Sequence, residues 1–252
     1  MSTTASMPRF FVGGPLATDE VVALPDDVTR HVQVLRLAPG DAIALFNGAG
    51  GEYAAEIASV EKRSATVRVG ARRDVDAEPP YRLTLVQGIA GSDKMDWLIE
   101  KAVELGATGI VPLQTARGVV RLSGDRALRR HAHWQRLVQA ACEQCGRNRV
   151  PEVAPSREFR TWLDALPPTP AGGELRVLLS PRASVPFGAL PETAPPGEVT
   201  LLIGPEGGLS PDEEDAARSH GFVAVGLGPR VLRTETAGIA VLAALAARWG
   251  GW

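Results

Sequence analysis

From Phe10 to Val69 the hydrophobic pattern is mostly strand-like: the runs AIALFN, EYAAEIASV and ATVRVG follow one another, separated by the turns GAGG and EKRS. Short strands joined by glycine-rich or charged turns make hairpins. The segment predicts a small β-barrel interrupted by one amphipathic helix around Asp26 to Leu35. The stretch Asp74-Val75-Asp76-Ala77-Glu78-Pro79-Pro80 is acidic, ends in two prolines and contains little that could pack. It predicts a stiff boundary, with domains at 1–74 and 81–252 and a linker at 75–80.

Beyond the linker the pattern changes to strand and helix in turn. Leu83 to Gln87 is a strand-like run, and Met95, Leu98, Ile99, Ala102 and Leu105 follow helical spacing from about Asp93 until Gly106 stops the helix. Ile110 to Leu113 makes another strand, and a helix from about Arg126 to Cys145 should turn Leu128, Trp134, Leu137, Val138, Ala141 and Cys142 inward before Gly146 ends it. Leu175 to Leu179 and Thr200 to Ile203 are continuous apolar runs, as expected of strands buried on both faces in a parallel sheet. Ser210-Pro211-Asp212-Glu213 reads as a capping box opening a helix that reaches about His220. Phe222 to Val225 is a last strand-like run, and Ala237 to Ala247 is a helix apolar nearly all round. The fold class is α/β with a mainly parallel sheet, plus the small amino-terminal barrel.

Composition narrows the partners. At 252 residues, 44% hydrophobic content and a formal net charge of -2, this is an ordinary globular composition, and any nucleic-acid site must be local. Of the basic side chains only Lys62, Lys94 and Lys101 are lysines. Arg117, Arg121, Arg126, Arg129, Arg130, Arg136, Arg147 and Arg149 face only Asp125 and Glu143 in the same stretch, which makes it the best phosphate-contact candidate. No run approaches the roughly 20 apolar residues of a membrane span, and MSTTASMPRFFV lacks a signal peptide's apolar core, so a cytoplasmic protein is expected. Cys142 and Cys145 form a single C-x-x-C without a second pair or a suitably spaced His, so they read as packing residues and no metal site is expected.

Two glycine-proline turns carry the candidate chemistry. Gly204-Pro205-Glu206-Gly207-Gly208 has almost no side chain with which to fill a core, but lets backbone groups approach a ligand. The second turn, Gly226-Leu227-Gly228-Pro229-Arg230-Val231-Leu232-Arg233-Thr234-Glu235-Thr236-Ala237, also follows an apolar run and opens toward a helix. Neither contains a nucleotide-phosphate signature, and GIAGSDK fails as a P-loop, leaving Lys94 as a first-turn helix residue near a functional edge. Together GPEGGLS and LGPRVLRTETA resemble the carboxy-terminal signature of SPOUT-class RNA methyltransferases, in particular the RsmE family that methylates uracil N3 in 16S ribosomal RNA. HVQVLRLAPGD near residue 31, QGIAGSDKMDWLIEKAVELGA from Gln87 and AACEQCGRNRVPE from Ala140 are similar to that family's segments in the same order.

The resemblance implies a PUA-like barrel that grips RNA and a SPOUT domain whose last helix is threaded into a deep trefoil knot. It implies S-adenosylmethionine as cofactor, the small-subunit ribosomal RNA as substrate, and a homodimer. Carried onto this chain, the cofactor would be surrounded by Leu179, Ser180 and Pro181, by Ile203, Gly204, Pro205, Glu206, Gly207 and Gly208, and by Leu227, Gly228, Leu232 and Thr234. Arg9, Arg30, His31, Arg36, Arg117, Arg121 and Arg149 are the expected RNA contacts.

Uracil N3 carries a proton that must leave, while charge grows on the flanking carbonyl oxygens, so a base and cationic donors are required. Arg233, helped by Arg147 or Asn148, is the expected ligand of the imide, and Glu143, Glu206 or Glu235 would assist deprotonation. Glu143 has an alternative as a surface ion pair with Arg147. Two rival functions remain: a SPOUT methyltransferase acting on transfer RNA or another base, which the amino-terminal barrel disfavours, and a non-catalytic RNA-binding module, which the intact GPEGG and LRTET loops disfavour.

Overall fold

The computed structural model describes residues 7–252 and divides the chain into two compact units. Met1 to Ser6, part of the segment judged to lack a signal peptide, lie outside the described residues.

The first unit runs to Ala77 and also includes Cys142–Val150, which the sequence reading assigned wholly to the second domain. Its elements are β1 (Arg9–Phe11), β2 (Val21–Ala23), α1 (Asp26–Val34), β3 (Ala42–Phe46), β4 (Glu52–Val60) and β5 (Ala65–Arg73). They form a five-stranded sheet in the order β1-β3-β4-β5-β2. The β3/β4 and β4/β5 hairpins are antiparallel, as the short turns between them predict, whereas β1 pairs with β3 in parallel. Phe10, Val28, Val32, Ile43, Leu45, Ile57, Val67 and Val69 make the core, so α1 covers the sheet with its apolar side.

The second unit contains β6 (Leu83–Gly88), α2 (Ser92–Glu104), β7 (Gly109–Gln114), most of α3 (Gly124–Cys145), β8 (Glu152–Val153), β9 (Arg157–Glu158) and α4 (Phe159–Asp164). It continues through β10 (Leu175–Leu179), β11 (Val185–Pro186), β12 (Val199–Ile203), α5 (Pro211–Ser219), β13 (Val223–Gly226) and α6 (Thr234–Trp249). Every strand pairing is parallel, in the order β11-β13-β10-β12-β6-β7-β8, with β9 also beside β7. The two sheet faces bury different side chains. Val86, Leu113, Leu178 and Leu202 pack with Phe159, Trp162 and Leu163 of α4 and Ala217 of α5. On the other face Gly238 of α6 comes against Ile203, Leu85 and Leu98, so the last helix lies close over β12 and β6 beside α2.

Two predicted features need correction. Leu128 is 68% exposed rather than inward, and burial along α3 begins at Trp134. The last helix begins at Thr234 and ends at Trp249, with Gly250 in the left-handed conformation as its cap. The capping box of α5 is present as predicted: Glu213 N–H donates to Ser210 Oγ and Ser210 N–H to Glu213 Oε2. Among the described residues no helix is long and apolar enough to cross a membrane, and no cluster of His, Cys, Asp and Glu could hold a metal.

Candidate functional site

The parallel strands β10, β12 and β13 end together, so the loops that follow them, 180–184, 204–209 and 227–233, converge at one edge of the sheet. Between these loops lies a cavity of about 560 Å³, the size of a small-molecule site. All thirteen residues expected around the cofactor line it, as do Arg117 and Arg233.

Close backbone packing shapes the pocket. A Cβ on Gly88, at the end of β6, would lie 2.6 Å from the backbone nitrogen and Cδ of Pro205, and one on Gly204 would lie 2.6 Å from the Leu209 nitrogen. These glycines let the turn fold flat against the neighbouring strand. Thr234 Oγ donates to the Gly204 carbonyl at 2.6 Å, which joins the start of α6 to the same turn. On the opposite wall the buried Glu214 carboxylate accepts from Ser180 Oγ at 3.0 Å and from Arg182 at 2.7 Å, fixing the loop after β10 to α5.

Charge is distributed unevenly around the opening. Glu206 Oε1 accepts from Gly91 N–H and from Lys94 Nζ, both at 3.1 Å. Burial pushes this carboxyl up, but the Gly91 and Glu206 backbone N–H groups and Lys94 outweigh that effect and hold it below the ordinary carboxylate value. Arg117 donates to the Gly207 and Leu209 carbonyls, and Arg121 to that of Thr115. Arg230 and Arg233 are exposed and, among the described residues, have no side-chain hydrogen-bond or ion-pair partner. Glu235, in the first turn of α6, has one carboxylate oxygen buried without a partner among the described residues.

Lys94, Arg182, Glu214 and Arg230 line the cavity but were not assigned to it from sequence. Lys94 carried a signal, at the first turn of a helix that follows a glycine-rich turn. Arg182 and Glu214 did not, because their pairing joins distant segments.

The other predicted residues belong to the first unit. There the structure corrects several expected roles. The guanidinium of Arg9 pairs with Glu52, donates to Asn148 Oδ1 at 2.7 Å and reaches the Arg147 carbonyl, with its side chain 14% exposed. It is an internal tie rather than an RNA contact. Asn148 is fully buried, and its Nδ2 donates to the Val75 carbonyl at 2.9 Å, so both ends of its amide are engaged inside this unit. Arg147 is also buried, which removes both residues from an open base-binding surface. Glu143 accepts the Phe11 N–H at 2.8 Å, and His31 lies 4.0 Å from its carboxylate. Burial pushes its carboxyl up, partly offset by Phe11, His31 and Arg9. Arg30, His31, Arg36 and Arg149 are exposed, although Arg149 pairs with Asp76 at 3.1 Å. Arg36 has φ of +57° just after α1, a position where glycine is usual.

The cavity suits a cofactor that combines a flat heterocycle with charged groups. Leu179, Ile203, Leu227 and Leu232 supply an apolar slot, Glu206 and Glu214 supply anionic groups, and a Cβ at Gly208 or Gly228 would stand in open space.

Known proteins match both units. Residues 77–246 match the family described as an RNA methyltransferase domain, and residues 24–70 match an RNA methyltransferase PUA domain. Ribosomal RNA small subunit methyltransferase E of Bacillus subtilis is 31% identical, over 95% of this chain and 96% of the relative. The crystal structure of the protein of the same name from Neisseria gonorrhoeae, bound to S-adenosyl methionine, superposes with a TM-score of 0.88 at 39% identity over 96% of this chain and 98% of the other. A putative methyltransferase from Legionella pneumophila in complex with the same cofactor gives a TM-score of 0.90 at 34% identity, over 96% of this chain and 98% of its own.

Proposed function

The chain belongs to the ribosomal RNA small subunit methyltransferase E family, and from that premise we propose that it transfers the methyl group of S-adenosylmethionine to N3 of a uridine in 16S ribosomal RNA. The enzyme is an S-adenosylmethionine-dependent methyltransferase of small-subunit ribosomal RNA. The cofactor supplies an electrophilic methyl group that needs no further activation. What remains for the protein is to align the acceptor nitrogen and to stabilise the anion formed when its proton leaves.

The observation that carries the assignment is the state of the cavity's cations. Lys94, Arg117 and Arg182 are held by protein acceptors, whereas Arg230 and Arg233 are exposed without such a partner among the described residues, and of these two Arg233 adjoins Thr234 at the start of α6. A guanidinium in that state can donate to the carbonyl oxygens flanking N3, which gain charge as the proton departs. Of the three carboxylates considered, Glu206 is held ionised by Gly91 and Lys94, which makes it a poor proton acceptor. Glu235, two residues beyond Arg233 in the first turn of α6 and with one carboxylate oxygen unpartnered among the described residues, retains that role in the proposal. Replacing Arg233 by Ala is expected to cut methyl transfer about 10²–10³-fold with cofactor affinity near that of the wild type. Loss of both properties, or of neither, would contradict the assignment.

RNA contact is proposed for Arg30, His31 and Arg36 in the first unit and for Arg121 with the exposed Arg126, Arg129 and Arg136 in the second. Arg36 supports this reading most directly, since a strained backbone at an exposed arginine points to a function for its side chain. The order β13-β10-β12-β6, with α6 returning past β12 to α2, supports a knotted carboxy terminus. The family resemblance supports a cytoplasmic homodimer whose site a second copy completes, and sizing at nanomolar concentration tests the dimer.

A further inference from the structure

Gln87 occupies a position where a buried parallel sheet ordinarily carries an apolar side chain. It is next to last in β6, fully buried, and registered between Ile203 of β12 and Pro112 of β7. Its Nε2 lies 2.9 Å from the Gly88 carbonyl, 3.2 Å from the Gly204 carbonyl and 2.9 Å from Thr234 Oγ. The Thr234 hydroxyl directs its proton to the Gly204 carbonyl, so toward Gln87 it can only accept. With three acceptors around it, the amide must present its nitrogen to them. Its oxygen is then left buried without a partner among the described residues.

An orphaned buried acceptor costs about 1–3 kcal/mol, so stability alone would favour Leu or Met at this position. The compensation is geometric. One amide joins the end of β6, the first residue after β12 and the first residue of α6. Gly204 and Thr234 line the cavity, and Gln87 stands behind them.

We infer that Gln87 is a positioning residue of the methyl-donor site: it fixes the Gly204 carbonyl and the Thr234 hydroxyl, and with them the spacing between the 204–208 and 227–233 loops. The inference rests on the cavity being the S-adenosylmethionine site. It deepens that reading by naming a residue that touches neither cofactor nor RNA.

The test uses the full-length protein and calorimetric titration with S-adenosylmethionine, with thermal denaturation of each variant. Gln87→Met is expected to keep or raise the thermal midpoint, to weaken cofactor binding at least tenfold and to leave the KM for RNA within twofold of wild type. Thr234→Val, which removes the same bridge from the other side, should weaken binding in a non-additive way when combined with Gln87→Met, whereas Thr234→Ser should retain affinity. Wild-type affinity in Gln87→Met overturns the inference. So does a binding loss that merely follows a fallen thermal midpoint. Should Gln87→Met fail to fold, the Thr234 pair decides alone, and equal affinity of its Val and Ser variants overturns the inference. If the wild type itself shows no binding, the reading of the cavity fails instead.

Discussion

Gly88→Ala tests whether close backbone contact shapes the cofactor pocket. The added methyl would lie 2.6 Å from both the nitrogen and Cδ of Pro205 and 2.9 Å from the Gly204 carbonyl carbon. Ordinary carbon contacts are about 3.5–4.0 Å, so the turn must withdraw by about 1 Å. It cannot do so by rotating a side chain, because Pro205 and Gly204 meet the methyl with ring and backbone atoms. Overpacking of this kind costs about 1–3 kcal/mol, equivalent to a fall of roughly 2–12 °C in thermal midpoint for a chain of this size. A displacement of about 1 Å at a reacting centre can cost on the order of 10²-fold in rate. Differential scanning calorimetry, cofactor titration and single-turnover methyl transfer on 16S ribosomal RNA measure the three consequences. Gly188→Ala is the control, since its methyl would meet no atom within 4 Å. If Gly88→Ala matches Gly188→Ala in midpoint, affinity and rate, the packing argument is refuted.

Two further predictions concern the first unit. Arg36→Gly relieves a left-handed backbone conformation that costs a non-glycine residue about 1–2 kcal/mol, so urea denaturation should show equal or slightly greater stability, while RNA affinity falls and its salt dependence decreases by about one counterion. Unchanged RNA binding would deny Arg36 its proposed role. For Glu143, a folded pKa raised by burial means that its contribution is complete below the ordinary carboxylate value and is lost as pH rises through the raised one. Glu143→Gln keeps an acceptor for the Phe11 N–H without the charge, so stability should vary less with pH across that window than in the wild type and should equal or exceed it at neutral pH. A loss of more than about 1 kcal/mol at pH 7 would mean that the charge itself stabilises the unit.

Local sequence chemistry carried much of the fold. Ser210 to Glu213 announced its helix because a capping box needs only neighbours in the chain, and the uninterrupted apolar runs of β10 and β12 announced a buried parallel sheet. The glycine-rich turns announced the cavity because glycine is costly where nothing requires it. Long-range pairings left no such mark. The union of β1 with β3, the inclusion of Cys142–Val150 in the first unit and the pairing of Arg9 with Glu52 and Asn148 all depend on distant segments meeting. The family resemblance therefore named Arg9 as an RNA contact, and the end of the arginine-rich helix offered Arg147 and Asn148 as imide ligands, where the fold engages or buries all three. Gln87 was passed over for a related reason: a single amide in an apolar strand shows its purpose only once Gly204 and Thr234 lie beside it.

Methyl transfer to uridine N3 is decided by nucleoside mass analysis of 16S ribosomal RNA after incubation of the purified protein with S-adenosylmethionine and RNA or small subunits from an unmodified strain. One methyl group per RNA is expected, carried on N3 of a uridine and lost with Arg233→Ala. A methyl group on any other nucleoside, or none from protein that binds the cofactor, would contradict it.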